Sequence, residues 1–197
     1  MGIAEPFTCR DRISNSSFIL MKWFCSFFDL FRNQARLVER FGIQEGWTVI
    51  DYGCGPGRYV RRLSQLVGEG GLVYAVDIHE LAMDCLVRLK RRYRLKNVRP
   101  VKAEGYFAPI PEDSADLILV IDVFRRVRDR RLFLEELHRL VRHHGRVVLH
   151  DGRRFRSQSQ AQVEESGRWN LLEIGGDYLV IGPAWKWMPE AVPGQQK

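Results

Sequence analysis

Val49-Ile50-Asp51-Tyr52-Gly53-Cys54-Gly55-Pro56-Gly57-Arg58 is the stretch from which the fold can be read. The apolar run Trp47 to Ile50 has the character of a buried strand and ends in an acid. Glycine then occupies every second position, and a helical pattern follows in which Tyr59, Val60, Leu63, Leu66 and Val67 share one face. Gly68, Gly70 and Gly71 close it. The order is strand, glycine loop, helix. Three glycines in five residues mean that the backbone turns tightly and lies close against something. The helix presents its free N–H groups and positive dipole end to the same crevice. A small polar ligand belongs there.

The dinucleotide fingerprint is G-x-G-x-x-G, with its third glycine placed for helix–strand packing. Here the spacing is G-x-G-x-G and bulky Arg58 follows, a poor match to a nicotinamide or flavin loop. The G-x-x-x-x-G-K-[ST] loop of nucleoside triphosphate sites is absent as well.

An acid ahead of G-x-G-x-G, as in Asp51-Tyr52-Gly53-Cys54-Gly55-Pro56-Gly57, resembles motif I of the class I S-adenosylmethionine-dependent methyltransferases. An acid suits that cofactor, which carries an ammonium and a sulfonium and no phosphate. The resemblance implies S-adenosyl-L-methionine as cofactor and S-adenosyl-L-homocysteine as product. It places Asp51, Gly53, Gly55 and Gly57 at the amino-acid end of the cofactor.

Later stretches extend the likeness. Leu72 to Ile78 has the pattern of a second buried strand, and Asp77 lies 20 residues past Gly57, where a nucleoside-binding crossover places a carboxylate for ribose hydroxyls. Ile78 is positioned to cover a face of the adenine. The passage Ala103-Glu104-Gly105-Tyr106-Phe107-Ala108-Pro109-Ile110-Pro111 looks like the family's link from strand 3 to strand 4, in which an acid, here Glu104, reaches the adenine amino group. The family mostly carries Asp there. Ala115 to Val123 is almost wholly apolar, as a central parallel strand should be.

The acceptor half matches the family less well. Where many small-molecule methyltransferases of this type have two histidines, the chain has Arg125-Arg126. The pair is either a surface feature or a reader of a substrate carboxylate or phosphate. Asp122 and Tyr106 are the candidates for a catalytic role, although the reaction needs no base. The family's Lys-Pro-Gly-Gly connection is replaced by Arg142-His143-His144-Gly145, whose histidines lack further ligands at metal spacing and are expected in a loop. The preceding helix is capped by Asp129 and expected to run to Gly145, with strand 5 from Arg146 to His150. Leu81 to Tyr93 is a helix with Ala82, Met83, Leu86 and Val87 inward, and Val98 to Ala103 is edge-like because Pro100 cannot donate to a ladder. Two apolar runs joined by Gly175-Gly176 form a closing hairpin.

At 197 residues the chain is long enough for one self-sufficient domain. Its 45% hydrophobic and 28% charged fractions are those of a soluble globular chain. No apolar run reaches the roughly 20 residues that span a bilayer, and no signal peptide is expected. Cys9, Cys25, Cys54 and Cys85 contain no C-x-x-C pair, which argues for reduced thiols in the cytoplasm and against a zinc site. The net charge of +7 comes largely from dispersed arginine, for which an acidic partner, genome composition and a hot habitat are alternative explanations.

Phe18 to Phe41 has a helical pattern, with six aromatics between Phe18 and Phe31. The stripe either packs on the sheet, closes over a hydrophobic substrate, or lies on a membrane surface. Phe24 and Phe28 are its candidate acceptor contacts.

These readings predict an α/β fold: a doubly wound, Rossmann-like, mostly parallel seven-stranded sheet with a C-terminal antiparallel hairpin and an N-terminal helical segment. The expected divisions are an N-terminal helical lid or extension over 1–44, the S-adenosylmethionine-binding domain over 45–183, and an irregular tail over 184–197. The implied reaction is in-line methyl transfer to a small, partly hydrophobic acceptor. The alternatives are RNA or protein methylation through the arginine-rich face, and a non-catalytic S-adenosylmethionine-binding scaffold.

Overall fold

Seven strands, β1 (Thr48–Tyr52), β2 (Leu72–Asp77), β3 (Val98–Lys102), β4 (Ala115–Ile121), β5 (Val141–His150), β6 (Trp169–Ile174) and β7 (Tyr178–Pro183), form one sheet in the order β3-β2-β1-β4-β5-β7-β6. The first five pair in parallel, and β7 runs antiparallel to both of its neighbours. This computed structural model describes residues 34–184 together with Ser14 and Ser16. The aromatic stripe from Phe18 to Phe31, with Phe24 and Phe28, lies outside the described residues, as does the tail from Trp185. No helix among the described residues is long and apolar enough to cross a membrane.

The sheet alternates its apolar side chains between two layers. Val49, Val73, Ala75, Leu117 and Leu119 share one core with helix α1 (Val60–Val67) and with Leu86 of helix α2 (Glu80–Tyr93). Ile50, Tyr52, Val76, Ile118 and Val120 share the other with helix α3 (Arg130–Leu140) and Val163 of helix α4 (Arg156–Ser166). This two-sided burial explains why β1, β2 and β4 are near-continuous apolar runs. Strand order reverses between β1 and β4, so a crevice opens at the carboxyl ends of those two strands, the place where open α/β sheets bind ligands.

The structure corrects several expectations. The segment Gln34–Phe41 is a 3-10 helix, although Val38 and Phe41 point inward as the stripe requires and Phe41 meets Tyr178 edge-on at 5.3 Å. β1 continues through Asp51 and Tyr52 rather than ending at Ile50. In α2 it is Cys85 that is buried, while Val87 is 60% exposed, because the buried row runs through Ala82, Cys85 and Leu86. Helix α3 stops at Leu140, not Gly145, and β5 begins at Val141. Ala115 pairs with Val141, and a register shift follows before Leu117 pairs with Arg146. His143 and His144 therefore lie in a strand, where the His143 N–H donates to Asp113 Oδ1 at 3.1 Å. Gly145 is no helix stop: a Cβ there would sit 2.6 Å from the Ala115 carbonyl oxygen.

β3 is an edge strand, as Pro100 predicts. Ala103 donates its N–H to the Asp77 carbonyl at 3.0 Å, so the alternation along the strand turns Pro100 toward the open side. At the far side β6 leaves Leu172 and Ile174 exposed.

One buried polar network fixes the passage between β3 and β4. Glu136 on α3 accepts the Ala108 N–H at 2.9 Å and takes two donors from Arg139, each at 2.8 Å. Arg139 also donates to the carbonyls of Ile110 and Ala108, both at 2.9 Å. Removing Glu136 leaves the Ala108 N–H and the part-exposed Arg139 guanidinium without their shared acceptor. Glu136→Ala should destabilise the fold by about 1–3 kcal/mol, measured by urea unfolding.

Candidate active site

The glycine loop follows β1 directly. Gly53 and Cys54 both donate their N–H groups to the Val76 carbonyl, at 2.8 and 3.0 Å, which carries the chain across to β2. Gly53 has φ +81°, and a Cβ there would drive into the methyl groups of Val123. Glycine is thus demanded twice at this position, by backbone conformation and by close approach. Gly57, at φ +90°, is held by packing as well: a Cβ would lie 2.9 Å from Leu86 Cδ2. The loop's tightness is set by the chain's own neighbours.

Asp77 ends β2 and reaches back to the loop. Its Oδ2 accepts the Gly55 N–H at 2.8 Å and its Oδ1 accepts the His79 N–H at 2.8 Å. His79 in turn caps α2, its Nδ1 accepting the Leu81 N–H at 3.1 Å. Burial raises the Asp77 pKa, while the N–H groups of His79 and Gly55 pull it back down. A carboxylate has about four lone-pair sites, so Asp77 keeps acceptor capacity for hydroxyl groups.

Asp51, at 2% exposure, is the most confined acid of the crevice. Its Oδ2 has no hydrogen-bond partner among the described residues. Burial first, and the charge of Asp77 second, push its pKa up to about 7. Two neighbouring carboxylates that both resist ionisation ask for a cation and for hydroxyl donors. They are hostile to phosphate. This donor and acceptor set fits an ammonium-bearing nucleoside such as S-adenosylmethionine and does not fit a dinucleotide pyrophosphate.

The remaining predicted residues lie along the same edge of the sheet. Ile78 follows Asp77 and is partly buried against the core. Glu104 stands just past β3 with an exposed side chain, its backbone paired to Phe107 in a tight turn. The Tyr106 hydroxyl accepts the Asp129 N–H at 3.1 Å, its carbonyl accepts the Tyr52 hydroxyl, and its ring meets Phe133 edge-on at 5.8 Å. Asp122 follows β4 at φ +60°, with its N–H on the His150 carbonyl at 2.8 Å. Arg125 pairs its Nη2 with Asp122 Oδ1 at 3.2 Å. Burial pushes the Tyr59 hydroxyl up to about 12, against the lowering influence of Arg58.

Sequence reasoning missed Asp151, which follows β5. It is buried, takes the Arg125 N–H at 3.2 Å and the Ser159 hydroxyl at 2.8 Å, and so ties the β4 exit to α4. Its signal was present: like Asp122, it is an acid at the carboxyl end of a central strand. Among the described residues, no group of three His, Cys, Asp or Glu side chains could hold a metal ion.

Comparison with known proteins points the same way. The family model described as a methyltransferase domain matches residues 50–149. Demethylmenaquinone methyltransferase of Oceanobacillus iheyensis is 30% identical over 111 residues, 56% of this chain and 47% of that protein. Ubiquinone/menaquinone biosynthesis C-methyltransferase UbiE of a Marinomonas species is 24% identical over 157 residues, 79% of this chain and 62% of that one. The chain thus spans 47% and 62% of the lengths of these two curated relatives. Among solved structures, an S-adenosylmethionine-dependent methyltransferase from Aquifex aeolicus superposes with a TM-score of 0.73 at 26% identity, over 86% of this chain and 97% of that one. A protein from Methanococcus maripaludis, with a TM-score of 0.71 at 16% identity over 95% of this chain and 99% of that one, shares the fold. With the glycine loop, the paired acids and the seven-stranded topology in place, the chain belongs to the methyltransferase-domain family of class I S-adenosylmethionine-dependent enzymes.

Proposed function

We propose that the protein transfers the methyl group of S-adenosylmethionine to a small, partly hydrophobic acceptor in the cytoplasm. The observation that carries the reading is the buried, unmatched oxygen of Asp51 beside Asp77 and the glycine loop. We assign Asp51, with Gly53, Gly55 and Gly57, to the ammonium-bearing end, Asp77 to the ribose, and Ile78 and Glu104 to the adenine. The bound cofactor supplies an activated methyl group on a sulfonium, so the chain's task is positioning and shielding.

Asp51 holds the ammonium when ionised. Asp77 presents its spare lone pairs to the ribose hydroxyls while its backbone bonds keep the loop closed. Val123, pressed against Gly53, brings the β4 exit beside the cofactor cradle, where an acceptor can enter in line. Asp122 stands at that exit, and we keep it as the residue that borders the acceptor. Tyr106 we assign to supporting the passage between β3 and β4, since its hydroxyl serves Asp129. Phe24 and Phe28, in the N-terminal segment over 1–44, are the candidate acceptor contacts in this reading.

Calorimetric titration tests it directly. S-adenosylmethionine and S-adenosylhomocysteine should bind in the micromolar range and NAD should not. A folded protein that binds neither sulfur compound would end the proposal. Asp77→Ala should weaken S-adenosylhomocysteine by about 100-fold, through loss of charge-assisted bonds to both loop and ligand. Glu104→Ala, altering an exposed contact, should cost about tenfold or less.

The raised pKa of Asp51 sets a pH dependence. Its ordinary value of 3.8 moves to about 7, so the ligand-free fold holds a proton over that interval that the unfolded chain has released. The contribution of Asp51 to ligand-free stability therefore falls as pH rises from about 4 to about 7, by up to about 1.4 kcal/mol per pH unit. Binding an ammonium needs the ionised acid. Affinity for S-adenosylhomocysteine should accordingly climb by up to about tenfold per unit between pH 5.5 and 7 and level off above. Asp51→Asn should bind weakly with a flat profile.

A further inference from the structure

We propose that the methyl acceptor carries a carboxylate or phosphate group, read by Arg125 and Arg154 beside the ring of Phe155. The inference rests on the methyltransferase reading above and names the substrate class of that site.

The guanidinium carbons of Arg125 and Arg154 lie 5.3 and 5.7 Å from the centroid of the same Phe155 ring. The two guanidinium carbons are therefore no more than about 11 Å apart, and an anion seated between them would meet two positive charges. Of the two, only Arg125 has an anionic partner among the described residues, the half-exposed carboxylate of Asp122 at 3.2 Å. Asp151 is occupied elsewhere, by the Arg125 backbone N–H and the Ser159 hydroxyl. Arg126, Arg153 and Arg154 are exposed at the same edge and have no ion pair among the described residues. Net positive charge therefore collects where the acceptor enters.

Arginine donors are left unmet as well. The Nε of Arg125 is shielded from solvent and has no acceptor among the described residues. Arg156 shows the same lack at its Nε, although its Nη1 donates to the Gly175 carbonyl at 2.7 Å. Arg146, which stacks on Trp47 elsewhere in the fold, shows the same lack at its Nε, so it is the terminal guanidinium nitrogens at this edge that are offered to an entering oxyanion. A planar guanidinium matches a carboxylate or phosphate through two parallel bonds.

The site is also held ready. Asp151 fixes the backbone of Arg125, and Arg130 Nη2 donates to the Arg125 carbonyl at 3.2 Å. The next residue but one before Arg125 is Val123, in contact range of Gly53 in the cofactor loop. An anion seated on Arg125 would thus lie beside the cofactor cradle, with little ordering left to accomplish on binding.

The test is calorimetry on the full chain saturated with S-adenosylhomocysteine, using benzoate, phenyl phosphate and neutral benzamide as probes. At least one of the two anions should bind about tenfold or more tightly than benzamide, and the better one identifies the group. Arg125→Gln and Arg154→Gln should each abolish that preference without changing affinity for S-adenosylhomocysteine. Arg154 is exposed, so its variant will fold. Arg126→Gln, a neighbouring cation away from Phe155, should keep the preference. Benzamide matching the anions, or equal losses in Arg126→Gln and Arg154→Gln, would overturn the assignment. Failure of S-adenosylhomocysteine to bind would overturn the methyltransferase reading itself, whereas its binding with no anion preference overturns only this proposal.

Discussion

The carboxylate of Asp77 holds the ligand-binding edge together. The glycines of the loop supply conformational freedom, and freedom alone does not make a site. By taking the N–H of Gly55 on one oxygen and that of His79 on the other, Asp77 joins the exit of β1 to the exit of β2 and to the start of α2. His79 continues the chain of constraint by capping α2 with its ring nitrogen. The exit of β1 is thereby tied to a segment 22 residues further along by one short side chain. An acid is needed there for reach and for two strong acceptors, and burial makes each of those bonds count for more.

Beside it stands Asp51, and the two acids work against each other. Each is buried, each raises the proton affinity of its neighbourhood, and Asp51 has an oxygen with no counterpart among the described residues. Such an arrangement is unfavourable in the empty fold and favourable once a positive group arrives. The crevice is in this sense shaped by its deficit: the fold tolerates an electrostatic mismatch whose relief is selective for cations. A phosphate would deepen the mismatch.

The glycine-loop half of the candidate site was legible because its determinants are local. Strand, acid, spaced glycines and helix lie within twenty residues, and period and turn chemistry report them directly. The acid at Asp77 was legible through its distance from the loop. What failed to show was tertiary. Gly145 reads as a helix stop, yet it is glycine because the Ala115 carbonyl passes 2.6 Å from where a Cβ would be, a contact between segments thirty residues apart. The true end of α3 is set instead by pairing of Val141 with Ala115, which overrides helical propensity in the last turn. Val87 and Cys85 are both apolar enough for the buried face, and only the docking angle of α2 decides between them. Asp151 escaped notice because a lone acid after a strand has no motif. Its meaning comes from Arg125 and Ser159, which the fold delivers from either side.

The two edges of the sheet are unequal, and this governs how the molecule could add to others of its kind. Pro100 faces outward from β3 and deletes a donor from that edge, with Arg99 and Lys102 exposed on either side of it. Among the described residues the edge strand β6 has no proline, although its register shifts between Leu171 and Glu173, and it exposes Leu172 and Ile174. Strand addition at β6 would consume the permissive edge of both copies at once. Such a pairing of β6 with β6 would be isologous and closed, and the donor missing at Pro100 leaves β3 the poorer edge for any further addition.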